Sequence, residues 1–343
     1  MATVRELQSG RWQAIVRRKG RPAESKTFRT KTEAQIWSQG IEADIERGVF
    51  QSTSEAERTT FADIVKRFKE EFAPHQYRKR DDEKEAWRFQ LDRLNEFFGP
   101  YSLAAIDQKL VASYRDNRIK PPVSSKRKGV GESTVRKELY MLSKVFGFCE
   151  IECDIALPRG NPVKRVRKPT DGKARDRRIT PTEWAALERE CKKSRNPWLA
   201  PALELAVETA MRQGELLNLE WKDIDRQHRL ALLLDTDKIK NEEARSVPLS
   251  SRALKVIDSL PRSTDKVFPV ERLTLYHAFV AACKRANITD YTWHDLRHEC
   301  LSRLAERGDL SMLDLAAISG HKTLQMLKRY THLQAENLAK KLG

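Results

Sequence analysis

The sequence predicts a multidomain protein in four parts: a small β-plus-α unit over residues 1–57, an all-helical unit over 58–158, a basic linker over 159–178, and a mainly helical unit with a small β-sheet over 179–343. Three observations predict it. Apolar residues alternate with period two near the N-terminus, then recur with a helical period of 3.6 through most of the rest. The stretch RGNPVKRVRKPTDGKARDRR carries nine Lys/Arg, two Asp, two Pro and two Gly, a composition expected to bury no core. The length of 343 residues is enough for two or three domains.

In the first unit, Trp12, Ala14 and Val16 alternate with Gln13, Ile15 and Arg17, as in a strand. Lys19-Gly20 reads as a turn and Ser25–Arg29 as a second strand. Thr30 and Glu33 form a capping-box signature, and Ala34, Trp37, Ile41 and Ile45 give the helix it opens an apolar stripe. From Arg5 to Lys31 there are nine Lys/Arg against two Glu, so the strand face is cationic.

The second unit reads as four helices. Phe61, Ile64, Val65, Phe68 and Phe72 form the first stripe; Trp87, Leu91, Leu94 and Phe98 form the second. Asp107 caps a third helix carrying Leu110, Val111 and Tyr114. A basic Pro/Gly loop, KPPVSSKRKGVGE, precedes a fourth that Ser133 opens, with Val135, Leu139, Leu142 and Phe146. The aromatic stripes read as core rather than as base-stacking platforms.

In the last unit, Thr180-Pro181-Thr182-Glu183 combines an N-cap, Pro at N1 and Glu at N3. Leu199–Thr209 is apolar enough to be a central helix. Leu230–Asp235 and Ala244–Leu249 read as two strands, and Ser251–Ser259 and Thr274–Ala286 as further helices. The most informative stretch runs from Thr292 to Leu333. It sets His294 and Arg297 three apart at a helix start, on one face, with Leu296, Cys300 and Leu304 facing the core. Gly320-His321 follows, and Tyr330 comes nine residues after His321. A tyrosine has a pKa of about 10, so acting as a nucleophile near neutrality requires nearby positive charge or a base.

Charge and cysteine usage narrow the class. Sixty-five Lys/Arg against 49 Asp/Glu give +16, which points to a polyanionic partner, most simply nucleic acid. Five scattered cysteines complete no zinc site and read as reduced, mostly buried thiols of a cytoplasmic, nucleoid-associated protein. No signal peptide and no apolar run of about 20 residues is present, so no membrane partner is expected.

The set HDLRH, then Gly-His, then Arg-Tyr resembles the end of a tyrosine site-specific recombinase of the phage-integrase type. The resemblance implies an upstream arginine in a T-x-x-R-x-x-E-L context and a lysine on a β-hairpin. TAMRQGEL supplies Arg212 and Glu215, and KIKNEEARSVPL supplies Lys240. It further implies that residues 58–158 are a core-binding domain, that residues 1–57 bind accessory arm sites, and that a homo-tetramer acts on double-stranded DNA with a possible host bending protein and excision factor. The implied reaction is phosphoryl transfer to protein and back. Arg212 and Arg297 present donor forks to the phosphate, His294 donates or moves a proton, and His321 supports. Lys240 protonates the departing 5′-oxygen, and Tyr330 attacks to leave a 3′-phosphotyrosine. Glu215 orients Arg212. No nucleotide-binding loop or carboxylate cluster is seen, and no cofactor or metal is expected. Expected phosphate contacts are Lys126, Arg127, Lys128, Arg136 and Lys137, with Lys164, Arg165, Arg167 and Lys168 in the linker.

Other readings stand beside these. Arg212 could be a structural partner of Glu215, Lys238 could replace Lys240, and His298 reads as structural. HDLRH differs from the zinc-protease H-E-x-x-H by Asp295 in place of the glutamate base. A DNA-binding regulator that cuts nothing, a type IB topoisomerase and a chromosome or plasmid dimer resolvase are the remaining alternatives.

Overall fold

The computed structural model describes residues 2–20, 22–77, 85–120, 129–172, 175–234 and 244–334. The chain divides into two compact units, Met1–Ala174 and Arg175–Gly343.

The first unit begins with an antiparallel meander, β1 (Ala2–Glu6), β2 (Trp12–Val16) and β3 (Glu24–Phe28), paired in that order. β1 is an edge strand that the alternation did not mark, since Val4 is its lone large apolar residue. Its register puts Arg5 opposite Gln13, and the two side chains hydrogen-bond at 2.8 Å. Helix α1 (Lys31–Glu46) covers the sheet, opened by the Thr30–Glu33 capping box; Ala14, Val16, Ala34 and Ser38 are buried there, and the Phe28 and Trp37 rings lie 5.6 Å apart. Lys26 pairs with Glu57 of α2 (Ser54–Arg58) at 2.8 Å.

The helical part follows with α3 (Phe61–Arg67), a π-helical turn at Phe68–Phe72, α4 (Ala73–Gln76), α5 (Ala86–Phe98), α6 (Gln108–Ile119) and α7 (Glu132–Ile151). The expected stripes of Phe61 and Leu91 and their helical neighbours are its core. The wide turn brings both Phe68 and Phe72 onto Phe148, at 5.5 and 5.4 Å. Gly131, not Ser133, is the N-cap of α7, and no side chain caps it.

The stretch expected to bury no core does bury one. Val163 and Val166 lie in the helical core, and their backbone is held by side chains of the helices: Gln108 donates to Arg165 O at 2.9 Å, Arg115 to Arg167 O at 2.8 Å, and Arg136 to Pro169 O at 2.8 Å. Two valines set three apart inside a run of charge are enough, because Lys164, Arg165 and Arg167 stay exposed while the valines and the backbone carbonyls face the helices.

The second unit contains α8 (Pro181–Lys192), α9 (Leu199–Thr209), α10 (Gln213–Asn218), β4 (Ile224–Asp225), β5 (Leu230–Leu233), β6 (Arg245–Pro248), α11 (Ser251–Asp258), α12 (Arg272–Arg285), α13 (Trp293–Arg307) and α14 (Met312–Ser319). Thr180 caps α8 as expected. α9 packs against α8, α11, α12 and α13 and is the centre of the core. The sheet has order β4-β5-β6, antiparallel, with Leu233 opposite Arg245; two-residue β4 was too short to read from pattern. The entry strap is fastened by arginines. Arg175 pairs with Asp290 and Asp295, Asp176 takes Arg329, Arg177 takes Glu183, and Arg178 takes Glu299 and Glu306. Four cysteines are buried and Cys153 is half-buried, all as free thiols. No described helix is long and apolar enough to cross a membrane.

Candidate active site

The site starts where α9 ends. Ala210 takes the left-handed conformation, φ +54°, which turns the chain sharply and aims its carbonyl away from the helix. Two residues on, Arg212 is the N-cap of α10. Its backbone N–H donates to Glu215 at 2.8 Å and its guanidinium to the same carboxylate at 2.7 Å. Glu215 is 4% exposed. A second arginine, Arg245 on β6, donates to both its oxygens at 2.8 and 2.9 Å. Burial alone would raise the Glu215 pKa; Arg245 first, then Arg212, hold it below the usual range. Glu215 is thus ionised and anchors two guanidiniums at once.

α13 supplies the next groups. The Thr292–Asp295 capping box starts the helix, and Asp295 also receives Arg175 at 3.0 Å. Arg297 is 3% exposed and donates to the carbonyls of Ala210 at 2.5 Å and Ser319 at 2.6 Å. These bonds use two of its five donors. Burial, then the neighbouring charges of Arg212 and Arg245, bring its pKa down to about 10, still far above neutrality. His294 is exposed, and its ring stands edge-on to His298 at 4.9 Å.

Past α14, Gly320 at φ +68° ends the helix and delivers His321. Ser319 Oγ donates to Leu315 O at 2.5 Å and lies 2.6 Å from His321 Nδ1. With its proton on Leu315, the hydroxyl is left to accept from His321, which puts the imidazole proton on Nδ1. Burial, then Arg297 and Arg212, push the His321 pKa down to about 4.

Tyr330 is 3% exposed, seated among Ala210, Cys300, Leu301 and Leu327. Its hydroxyl oxygen lies 2.5 Å from His298 Nδ1. Nearby positive charge or a base was expected to activate this phenol. Burial outweighs Arg329 and Arg297, and the pKa rises to about 12. What stands at the hydroxyl is a base. His298, which the sequence suggested was structural, is half-buried, and its pKa falls to about 4 through burial, then Arg329 and His294.

The structure therefore gathers Arg212, Glu215, Arg297, His321 and Tyr330, and adds Arg245 and His298. Strand alternation was a usable signal for Arg245, since it shares the inward face of β6 with buried Val247. Lys240 and Lys238 lie outside the described residues, as do Lys126, Arg127 and Lys128. In the first unit, Lys137, Lys164, Arg165 and Arg167 are exposed. Arg136 and Lys168 both lie 5.4 Å from the ring of Tyr140. Among the described residues, no three His, Cys, Asp or Glu side chains gather as metal ligands would. In HDLRH, Asp295 binds Thr292 and Arg175 and His298 meets Tyr330, an arrangement unlike a zinc protease helix.

Comparison with known proteins decides the family. Residues 177–337 match the phage integrase family. A Haemophilus influenzae protein of the integrase/recombinase kind is 30% identical across the whole chain and 91% of its own length. The chain belongs to the phage integrase family. This tyrosine recombinase is 42% identical to the shufflon-specific DNA recombinase of Escherichia coli over 68% of the chain, a match spanning 59% of that protein's length. Its fold is that of lambda integrase, at a TM-score of 0.65 and 18% identity, covering 95% of this chain and 93% of that one, in a structure of a dimer bound to a core site. The fold class expected from sequence, with a small N-terminal sheet, helices, and a second small sheet near the C-terminus, is the one found. As a tyrosine recombinase it is an enzyme that breaks and rejoins DNA strands.

Proposed function

We propose that this recombinase uses Arg212, Arg297, His294, His321 and Tyr330, with Lys240, to cleave double-stranded DNA through a 3′-phosphotyrosine, and that it integrates or excises a prophage or other mobile element. One observation carries the assignment: Glu215 fixes Arg212 and Arg245 beside Arg297, within the same electrostatic neighbourhood as His321. A phosphodiester entering this cluster meets fixed positive charge, where negative charge on the nonbridging oxygens is stabilised without solvent reorganisation. The unused donors of Arg297 and the fork of Arg212 address those oxygens. Burial first, then Arg297 and Arg212, keeps His321 neutral in the free protein. The phosphate's own charge opposes that effect, so with substrate present His321 can take up the Nε2 proton that it needs to donate. Tyr330 Oη forms the new P–O bond, the 5′-oxygen leaves with a proton from Lys240, and the reverse sequence rejoins the strand. The bond energy is retained in the phosphotyrosine, so no nucleotide is needed.

A homo-tetramer on two duplexes, arm-site binding by residues 1–57, core-site binding by the helices that follow, and help from a host bending protein and an excision factor complete the proposal. The tetramer on DNA is supported by a structure of the lambda integrase tetramer bound to a Holliday junction, whose fold this chain shares. The shufflon-specific relative favours a second reading, shufflon-specific recombination, over dimer resolution. The deciding experiment uses a nicked suicide duplex bearing the chain's own attachment site, in EDTA. Wild type should form an SDS-resistant adduct and Tyr330→Phe should bind without forming it. An adduct in the Phe variant would remove Tyr330 from its role, and dependence on added metal would remove the arginine-based mechanism. Sequencing recombinant junctions separates this second reading from integration.

A further inference from the structure

We infer that His298, one helical turn beyond His294, is a catalytic residue: it accepts the Tyr330 hydroxyl proton as the phosphotyrosine forms and returns it when the strand is rejoined. The inference rests on the reading of Tyr330 as nucleophile and goes beyond it by naming the base.

Geometry carries it. Nδ1 of His298 lies 2.5 Å from Tyr330 Oη, within reach of direct transfer. His298 follows His294 by one turn on the same face of the helix; His294, in the first turn, is exposed, while His298, one turn deeper, is half-buried against Tyr330. A buried phenol keeps its proton and needs an acceptor, and Nδ1 is the atom in place. His298 is neutral in the free protein, which leaves a lone pair on Nδ1 and the proton on Nε2. The groups that bear on it come from three elements. His294, Asp295 and Arg297 are on α13, Arg329 and Tyr330 are on the tyrosine segment, and His321 follows α14. The cations among them oppose an imidazolium. A DNA phosphate bound to Arg297 and Arg212 offsets that charge, so the base gains strength as the substrate arrives and the phenol stays inert without it.

The step balances. The Tyr330 O–H bond breaks and its proton goes to His298 Nδ1. The phenolate pair forms the bond to phosphorus, and the P–O5′ bond breaks with its pair on the 5′-oxygen, which takes a proton from Lys240 to become the 5′-hydroxyl. On rejoining, the 5′-hydroxyl attacks and returns its proton to Lys240, the phosphotyrosine bond breaks, and His298 gives its proton back to the Tyr330 oxygen.

The test is single-turnover cleavage of the nicked suicide duplex by the full chain. His298→Asn keeps a polar atom near Nδ1 but cannot take a proton; His298→Ala removes the group. Both should bind DNA as wild type does and cleave about 10²- to 10⁴-fold more slowly. Replacing Tyr330 by 3,5-difluorotyrosine, whose hydroxyl ionises far more readily, should restore most of the rate to His298→Asn. A 5′-phosphorothiolate, which eases only departure of the leaving group, should not. His298→Asn cleaving at the wild-type rate would overturn the inference. So would a slow His298→Asn that the fluorinated tyrosine fails to rescue, since His298 would then only position the ring. Adduct formation by wild type and its loss in Tyr330→Phe check the underlying reading separately. If wild type forms no adduct, the nucleophile is wrong; if it does and His298→Asn is fast, only the base is wrong.

Discussion

Gly320 and Arg245 approach so closely that no side chain fits between them. A Cβ built on the glycine would lie 2.9 Å from both Cδ and Nη1 of Arg245. The loop that delivers His321 is therefore packed directly on the guanidinium that grips Glu215.

Gly320→Ala should act twice. The left-handed backbone costs an alanine about 1–2 kcal/mol, and the new methyl must push Arg245 off Glu215. Thermal melting should fall by a few degrees, and cleavage by roughly tenfold, with DNA affinity little changed. A melt and a single-turnover assay on the same preparation check this; a fast variant would mean that Arg245 yields without disturbing Arg212.

Glu215→Gln tests the hub itself. Removing the charge leaves two half-buried cations facing an amide, and losing the buried partner of these pairs costs up to about 3–5 kcal/mol. The sign follows from the depressed folded pKa. The contribution is fully present above the unfolded value of about 4.3 and is lost as pH falls through the folded one. The stability gap between wild type and variant, read by denaturant titration, should be widest at neutral pH and close in acid. A gap independent of pH would point to packing rather than charge.

Lys240→Ala should cleave ordinary DNA slowly and recover on a bridging 5′-phosphorothiolate, whose leaving group needs little protonation. Lys238→Ala should do neither, and the opposite pattern would transfer the acid role to Lys238.

Neutralising Lys164, Arg165, Arg167 and Lys168 should leave the helical unit folded, because its grip on this stretch is through Val163, Val166 and main-chain carbonyls. Core-site binding should weaken on any sequence. The log–log salt slope should flatten by up to about 3 to 4 units if all four touch phosphate. Deleting residues 1–57 should instead abolish binding to an arm site and spare core cleavage. Footprints unchanged by the deletion would leave the β-sheet unit without a DNA role.

What was legible in the sequence was local or carried by spacing. The Thr30 and Thr180 capping boxes act over three residues, so pattern alone located α1 and α8. Arg212, Arg297, His321 and Tyr330 stood out because their motifs recur in order. Pairings across the fold were not legible. His298 meets Tyr330 across 32 residues and Arg245 meets Glu215 across 30, and neither separation has a local signature. Composition misled at Val163 and Val166, where net charge masked two apolar anchors. It also hid the sign of the Tyr330 shift, which depends on how deeply the ring is seated rather than on how many arginines are nearby.

The arginine-fastened strap at residues 175–178 has a practical consequence for dissecting the enzyme. A fragment begun at Ile179, where the apolar pattern resumes, would lack Arg175 and leave Asp295 buried without its cation, one residue from His294. It would also release Arg329, the immediate neighbour of the nucleophile, from Asp176. An isolated C-terminal fragment should therefore be expressed from residue 175. The shorter version should melt earlier and hold its tyrosine less firmly, even though every residue assigned to chemistry would still be present.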